Sequence, residues 1–124
     1  MHALQQSDLT LNPVGQNTEC YRIYEAMAYG SVPVIEDIMT PGHCGASPAS
    51  NLYPLRILKE LDAPVIYLKD WRTLPEVLER EARMTHQEKV KRREKLVEWY
   101  ENFKTVMRDR MVKVLENRFF NINR

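Results

Sequence analysis

Two short apolar runs, Val32 to Ile35 and Val65 to Leu68, constrain the fold of this chain more than any other feature. Apart from Pro33 the first run is β-branched, and neither alternates with polar residues, as expected of strands covered on both faces of a parallel sheet. Between them Pro54 suits a first helical turn, and Leu55, Leu58 and Leu61 then share one helical face. A helix joining two parallel strands makes a right-handed crossover, and so a βαβ unit is predicted.

The pattern starts earlier. Leu9 and Leu11 alternate with polar neighbours over Asp8 to Asn12, and Pro13 and Gly15 end the run, predicting a first strand that leads into a loop. From Thr18 the period switches, with Tyr21, Tyr24 and Ala28 at helical spacing and Gly30 where a helix ends on a left-handed residue. Pro33 belongs near the start of the second strand. Thr40 to Asn51 hold two prolines and two glycines without apolar period, which predicts a long surface loop. The expected fold class is α/β, a Rossmann-like parallel sheet with few strands.

Helices follow. Thr73 with Glu76, and Thr85 with Glu88, have the spacing of capping boxes. Beyond the second, Leu96, Trp99, Tyr100, Phe103, Val106, Met107, Met111, Val114 and Leu115 keep a three-and-four spacing over many turns, a stripe for a core or a docking surface. The reading divides the chain into an α/β unit, residues 1–84, and a long C-terminal helix, 85–124, packing on that unit or toward a further N-terminal domain. No internal repeat stands out.

The 18 basic and 17 acidic side chains nearly cancel, so no domain-wide field draws the chain to nucleic acid or to an anionic membrane. No run approaches the roughly 20 apolar residues that span a bilayer, and Met1 to Thr10 has no signal-peptide character. An anchor upstream of this chain stays compatible with that. Cys20 and Cys44 leave a disulfide and two thiols both open. His43 beside Cys44 falls short of the four ligands of structural zinc, and no metal is expected. Lys89, Lys91, Arg92, Arg93 and Lys95, interleaved with Glu88, Glu94 and Glu98, predict a solvated helix face.

In such a sheet ligands gather beyond the carboxyl ends of the strands, here at Pro13 to Thr18, Glu36 to Asn51 and Lys69 to Thr73. The first segment carries most. Gly15 lets a ligand approach the backbone, and Asn17 or Thr18 can cap the helix that follows. Arg22, in or just past the first turn, can hold phosphate oxygens through two parallel bonds, and Glu25 on the same face can accept from ribose or sugar hydroxyls. The same two residues also fit an exposed ion pair with no function. Tyr67 and Trp71 suit core packing as well as stacking on a base, with Lys69 and Arg72 nearby as cations. Glu36 and Asp37 are adjacent strand-end carboxylates, of which at most one faces a cleft, so no catalytic residue is assigned.

Asn12 to Asp37, NPVGQNTECYRIYEAMAYGSVPVIED, resembles the donor-binding motif of GT-B glycosyltransferases, an R-x-x-E helix ended by glycine and a small residue and followed by P-V. Over nearly the whole chain, including CGASPASNLYPLRILKELDAPVIYLKDW and the charged terminal helix, the sequence is similar to Golgi ribitol xylosyltransferases, relatives of the exostosin-like transferases. The resemblance implies inverting transfer of xylose from UDP-xylose to a ribitol phosphate unit of the dystroglycan O-mannosyl glycan. It implies a type II Golgi membrane protein acting on the lumenal side, with no cofactor besides the donor. On the matching positions Arg22 contacts the diphosphate, Glu25 the ribose or sugar hydroxyls, and Asn17 and Thr18 the phosphate-facing helix start, beside Gly15. A GT-B enzyme draws acceptor contacts and a general base from a second domain, so this chain is expected to be a donor-binding part. Two alternatives stand beside it: an exostosin-like transferase using UDP-glucuronate or UDP-N-acetylglucosamine, and a non-catalytic module docking a partner through Trp99, Tyr100 and Phe103.

Overall fold

The computed structural model describes residues 6–14, 19–38 and 55–120. Three parallel strands, β1 (Leu9–Asn12), β2 (Val32–Glu36) and β3 (Ile66–Leu68), lie in the order β1-β2-β3. Leu9 stands opposite Val32, and Val34 opposite Ile66. Helix α1 (Tyr21–Ala28) connects β1 to β2, and α2 (Arg56–Glu60) precedes β3. A 3-10 turn (Trp71–Thr73) leads into α3 (Leu74–Arg83), then α4 (His86–Leu115) and a π-helical turn (Glu116–Phe120). The expected α/β class with a small parallel sheet and a long terminal helix is the fold observed.

Pro33 sits inside the middle strand without disturbing it. The Val32 N–H donates to Asp8 O on the β1 side, so by alternation position 33 would direct its N–H toward β3. Pairing with β3 begins only at Val34, so the ladder loses nothing there. Gly30 ends α1 at φ +79°, the left-handed cap its position predicts.

Both sheet faces are covered, unequally. On one, Ile23 and Met27 of α1, Leu58 of α2 and Leu96 and Phe103 of α4 pack with Ile35. On the other, Val77 of α3 packs with Val34 and Leu68. Leu11, on the second face of β1, remains 46% exposed. Because β3 is an edge strand, Ile66 and Tyr67 are only half-buried, less than a strand inside a parallel sheet would be.

Local expectations diverge in three places. The N-cap of α1 is Cys20, later than a cap by Asn17 or Thr18 would put it. At Thr85 the capping box forms in both directions, but at Thr73 it does not. The Thr73 hydroxyl donates instead to Asp70 O at 2.7 Å, because the 3-10 turn already carries the chain into α3 with Thr73 itself in helical conformation. The basic cluster on α4 is no simple solvated face. Lys89 and Arg93 reach Asp8, Arg92 pairs with Glu81 of α3, and Arg93 also donates to Ser7 O and Tyr29 O, so three cations fasten the helix to the unit. Only Lys91 and Lys95 match the expected exposure. The predicted loop over Thr40 to Asn51, with His43 and Cys44, and Pro54 lie outside the described residues.

The stripe on α4 is used in part. Leu96 and Phe103 are buried and Trp99, Tyr100 and Met107 pack beside them, whereas Met111, Val114 and Leu115 are 60%, 53% and 41% exposed. Among the described residues no helix is long and apolar enough to cross a membrane.

Candidate functional site

The carboxyl end of β1 faces the start of α1, and the chemistry concentrates there. Asn12, last in β1, is buried beneath the helix at 1% exposure. Its Oδ1 accepts from Cys20 Sγ at 3.1 Å and from Arg22 Nη1 at 3.4 Å. Cys20 is a free cysteine, and Cys44 lies outside the described residues. Cys20 gives α1 no side-chain cap bond, and the first turn contains no acidic residue. The positive end of the helix dipole therefore meets the Arg22 guanidinium, an arrangement that favours an anionic group.

Arg22 and Glu25 form no ion pair with each other. Arg22 is exposed, with no carboxylate partner among the described residues, and Glu25 is half-buried on the same helix. Further along α1, Tyr24 Oη donates to Glu19 Oε1, and burial first, then that carboxylate, pushes the Tyr24 phenol far above its usual range. Gly15, Asn17 and Thr18 lie outside the described residues.

The two strand-end carboxylates are both engaged. Glu36 Oε1 accepts from the Val14 N–H at 2.8 Å, which ties the end of β2 to the chain leaving β1. Asp37 pairs with Lys59 at 2.7 Å, at the rim of a hollow of about 370 Å³ that Tyr67 also lines. Sequence reasoning missed Asn12 as a site residue; its only signal is a polar residue ending a buried strand.

Tyr67, Trp71 and Arg72 make contacts within the chain. The Tyr67 ring packs on the core beneath the Lys59 ammonium, 5.2 Å from the ring centroid, and Trp71 packs under α3. Arg72 folds back on Asp70. Trp99 donates through Nε1 to Leu61 O at 2.9 Å, and Tyr24, Trp99, Tyr100 and Phe103 form one stack between α1 and α4. Of the three aromatics that could dock a partner, Phe103 is therefore buried in the chain's own core and Trp99 and Tyr100 pack partly against it.

A family model described as the RXYLT1 C-terminal domain matches residues 1–120. The chain is 59% identical over 120 residues, 97% of its length, to ribitol-5-phosphate xylosyltransferase 1 of Danio rerio, and covers 27% of that protein. It is 52% identical over 118 residues, 95% of its length, to the protein of the same name from Mus musculus, again covering 27%. Against that of Homo sapiens it is 52% identical over 122 residues, 98% of the chain and 28% of the relative. The chain thus spans little more than a quarter of the length of these curated relatives. No solved structure matches it.

Proposed function

Because the chain belongs to the family of the RXYLT1 C-terminal domain, we propose that it is the donor-binding part of a glycosyltransferase that moves xylose from UDP-xylose to a ribitol phosphate acceptor. One observation carries the reading: Arg22, without a carboxylate partner among the described residues, stands in the first turn of α1, to which the Cys20 side chain gives no cap bond, at the carboxyl end of β1. There the guanidinium and first-turn N–H groups receive the diphosphate, and Glu25, one turn further, takes ribose or sugar hydroxyls. Gly15, Asn17 and Thr18 complete the phosphate-facing side, as the resemblance implies.

The chemistry divides between this part and the rest of the enzyme. As the bond to xylose breaks, negative charge grows on the departing diphosphate, and the Arg22 cation and helix dipole stabilise it. Glu36 and Asp37 are held by Val14 and Lys59, so the base that deprotonates the acceptor hydroxyl is assigned to the remainder of the transferase. The exposed end of the α4 stripe is the surface that faces that remainder. The names of the relatives support transfer of xylose over another sugar, and the resemblance supports a setting on the lumenal side of the Golgi membrane.

The test is calorimetric titration of the purified chain with UDP, UDP-xylose, UDP-glucuronate and UDP-N-acetylglucosamine. UDP binding that Arg22→Ala weakens at least tenfold, about 1.4 kcal/mol, with UDP-xylose preferred among the sugars, supports the reading. A folded chain that binds UDP equally well with and without Arg22 overturns it.

A further inference from the structure

Asn12 carries an imbalance that packing does not explain. Its side chain is buried, Oδ1 has two donors, and Nδ2 has no hydrogen-bond partner among the described residues. An unpartnered amide N–H in the interior is unfavourable, and a leucine of similar volume would fill the space without it. The amide is therefore retained for its oxygen. That orientation is unambiguous, since a guanidinium has donors only and must be met by Oδ1.

We propose that Asn12 is a positioning residue for the donor diphosphate, acting through Arg22 and Cys20; the proposal rests on the donor-binding reading above. Its oxygen does two things at once. It directs the Arg22 guanidinium without neutralising it, which an aspartate of the same shape would do by forming an ion pair. It also accepts from the Cys20 thiol, so the N-cap side chain is turned to β1 and makes no cap bond to the first turn. A single buried oxygen thus aims the cation and engages the N-cap side chain.

The experiment compares UDP and uridine affinities of the chain, with a thermal midpoint for each protein, in wild type, Asn12→Asp, Asn12→Ala, Arg22→Ala and the double variant Asn12→Ala/Arg22→Ala. Asn12→Asp keeps the shape and serves as the measure if Asn12→Ala does not fold. The expected result is a loss of UDP affinity of about tenfold or more in Asn12→Asp, about 1.4 kcal/mol by the tenfold rule, while uridine, which has no phosphate, binds as to wild type. Asn12→Ala should weaken UDP binding alone and add little in the Arg22→Ala background. Wild-type UDP affinity in Asn12→Asp, equal losses for UDP and uridine, or additive losses in the double variant would each overturn the positioning role. If Arg22→Ala itself leaves UDP binding intact, the donor reading falls first; a crippled Arg22→Ala beside an unaffected Asn12→Asp overturns only the role of Asn12.

Discussion

Arg93 lies directly on Gly30: a Cβ added to the glycine would come within 2.4 Å of Arg93 Cγ, while Arg93 Nη1 donates to the neighbouring Tyr29 O at 2.6 Å. The end of α1 is therefore clamped by a side chain 63 positions later, and glycine is required there both for its positive φ and for its missing side chain.

Gly30→Ala should destabilise the fold by about 2–4 kcal/mol, the left-handed penalty and the displaced contact together. Urea unfolding would show it as a lower midpoint at unchanged slope. A variant as stable as wild type would mean that the Arg93 contact is readily given up.

The two threonine caps should behave differently. Thr85→Ala removes a complete capping box and should lower stability by about 1 kcal/mol. Thr73→Ala, which removes no helix cap, should stay within about 0.5 kcal/mol of wild type. Paired thermal melts decide this, and equal losses would contradict the cap assignments.

Tyr67 should make the fold sensitive to alkali. Burial first, then the Asp37 and Asp62 carboxylates, pushes its phenol up to about 12 from the ordinary 10.0. Between those values the unfolded chain has released the proton that the folded chain retains, so this contribution is present below pH 10 and is lost as pH rises toward 12. Tyr67→Phe should flatten that part of the stability–pH curve. At neutral pH it should leave stability unchanged or higher, since the Tyr67 hydroxyl is buried without a partner among the described residues.

Along the α4 stripe, position decides the cost of truncation. Phe103→Ala, in the aromatic stack, should lose about 3–5 kcal/mol. Met111→Ser, on the exposed part, should change the stability of this chain by less than about 0.5 kcal/mol and reduce its tendency to associate. Denaturant titration and sedimentation measure the two effects.

Much of this fold was legible because its signals are local. The run Val32 to Ile35 needs only a sheet to bury it, Gly30 only a helix to end, and Thr85 with Glu88 only each other. Arg22 and Glu25 fall on one helical turn, as their spacing predicts. What escaped depends on contacts distant in sequence. Nothing near Arg93 announces Tyr29 and Ser7 as its acceptors, so the basic cluster read as solvated. Asn12 looked like the end of a strand until Cys20 and Arg22 were brought to its oxygen. Thr73 matched the capping spacing, but the turn at Asp70 had already begun the helix.

The uneven burial of α4 makes it a gradient of local unfolding. From Arg108 to Phe119 every residue is exposed, a span too short to hold much helix in water by itself. Backbone amides around Leu96 and Phe103 should exchange with solvent deuterium only on global opening, while those past Met111 fray and exchange far faster. A single continuous helix therefore records, residue by residue, where the packed body of this chain stops supporting it.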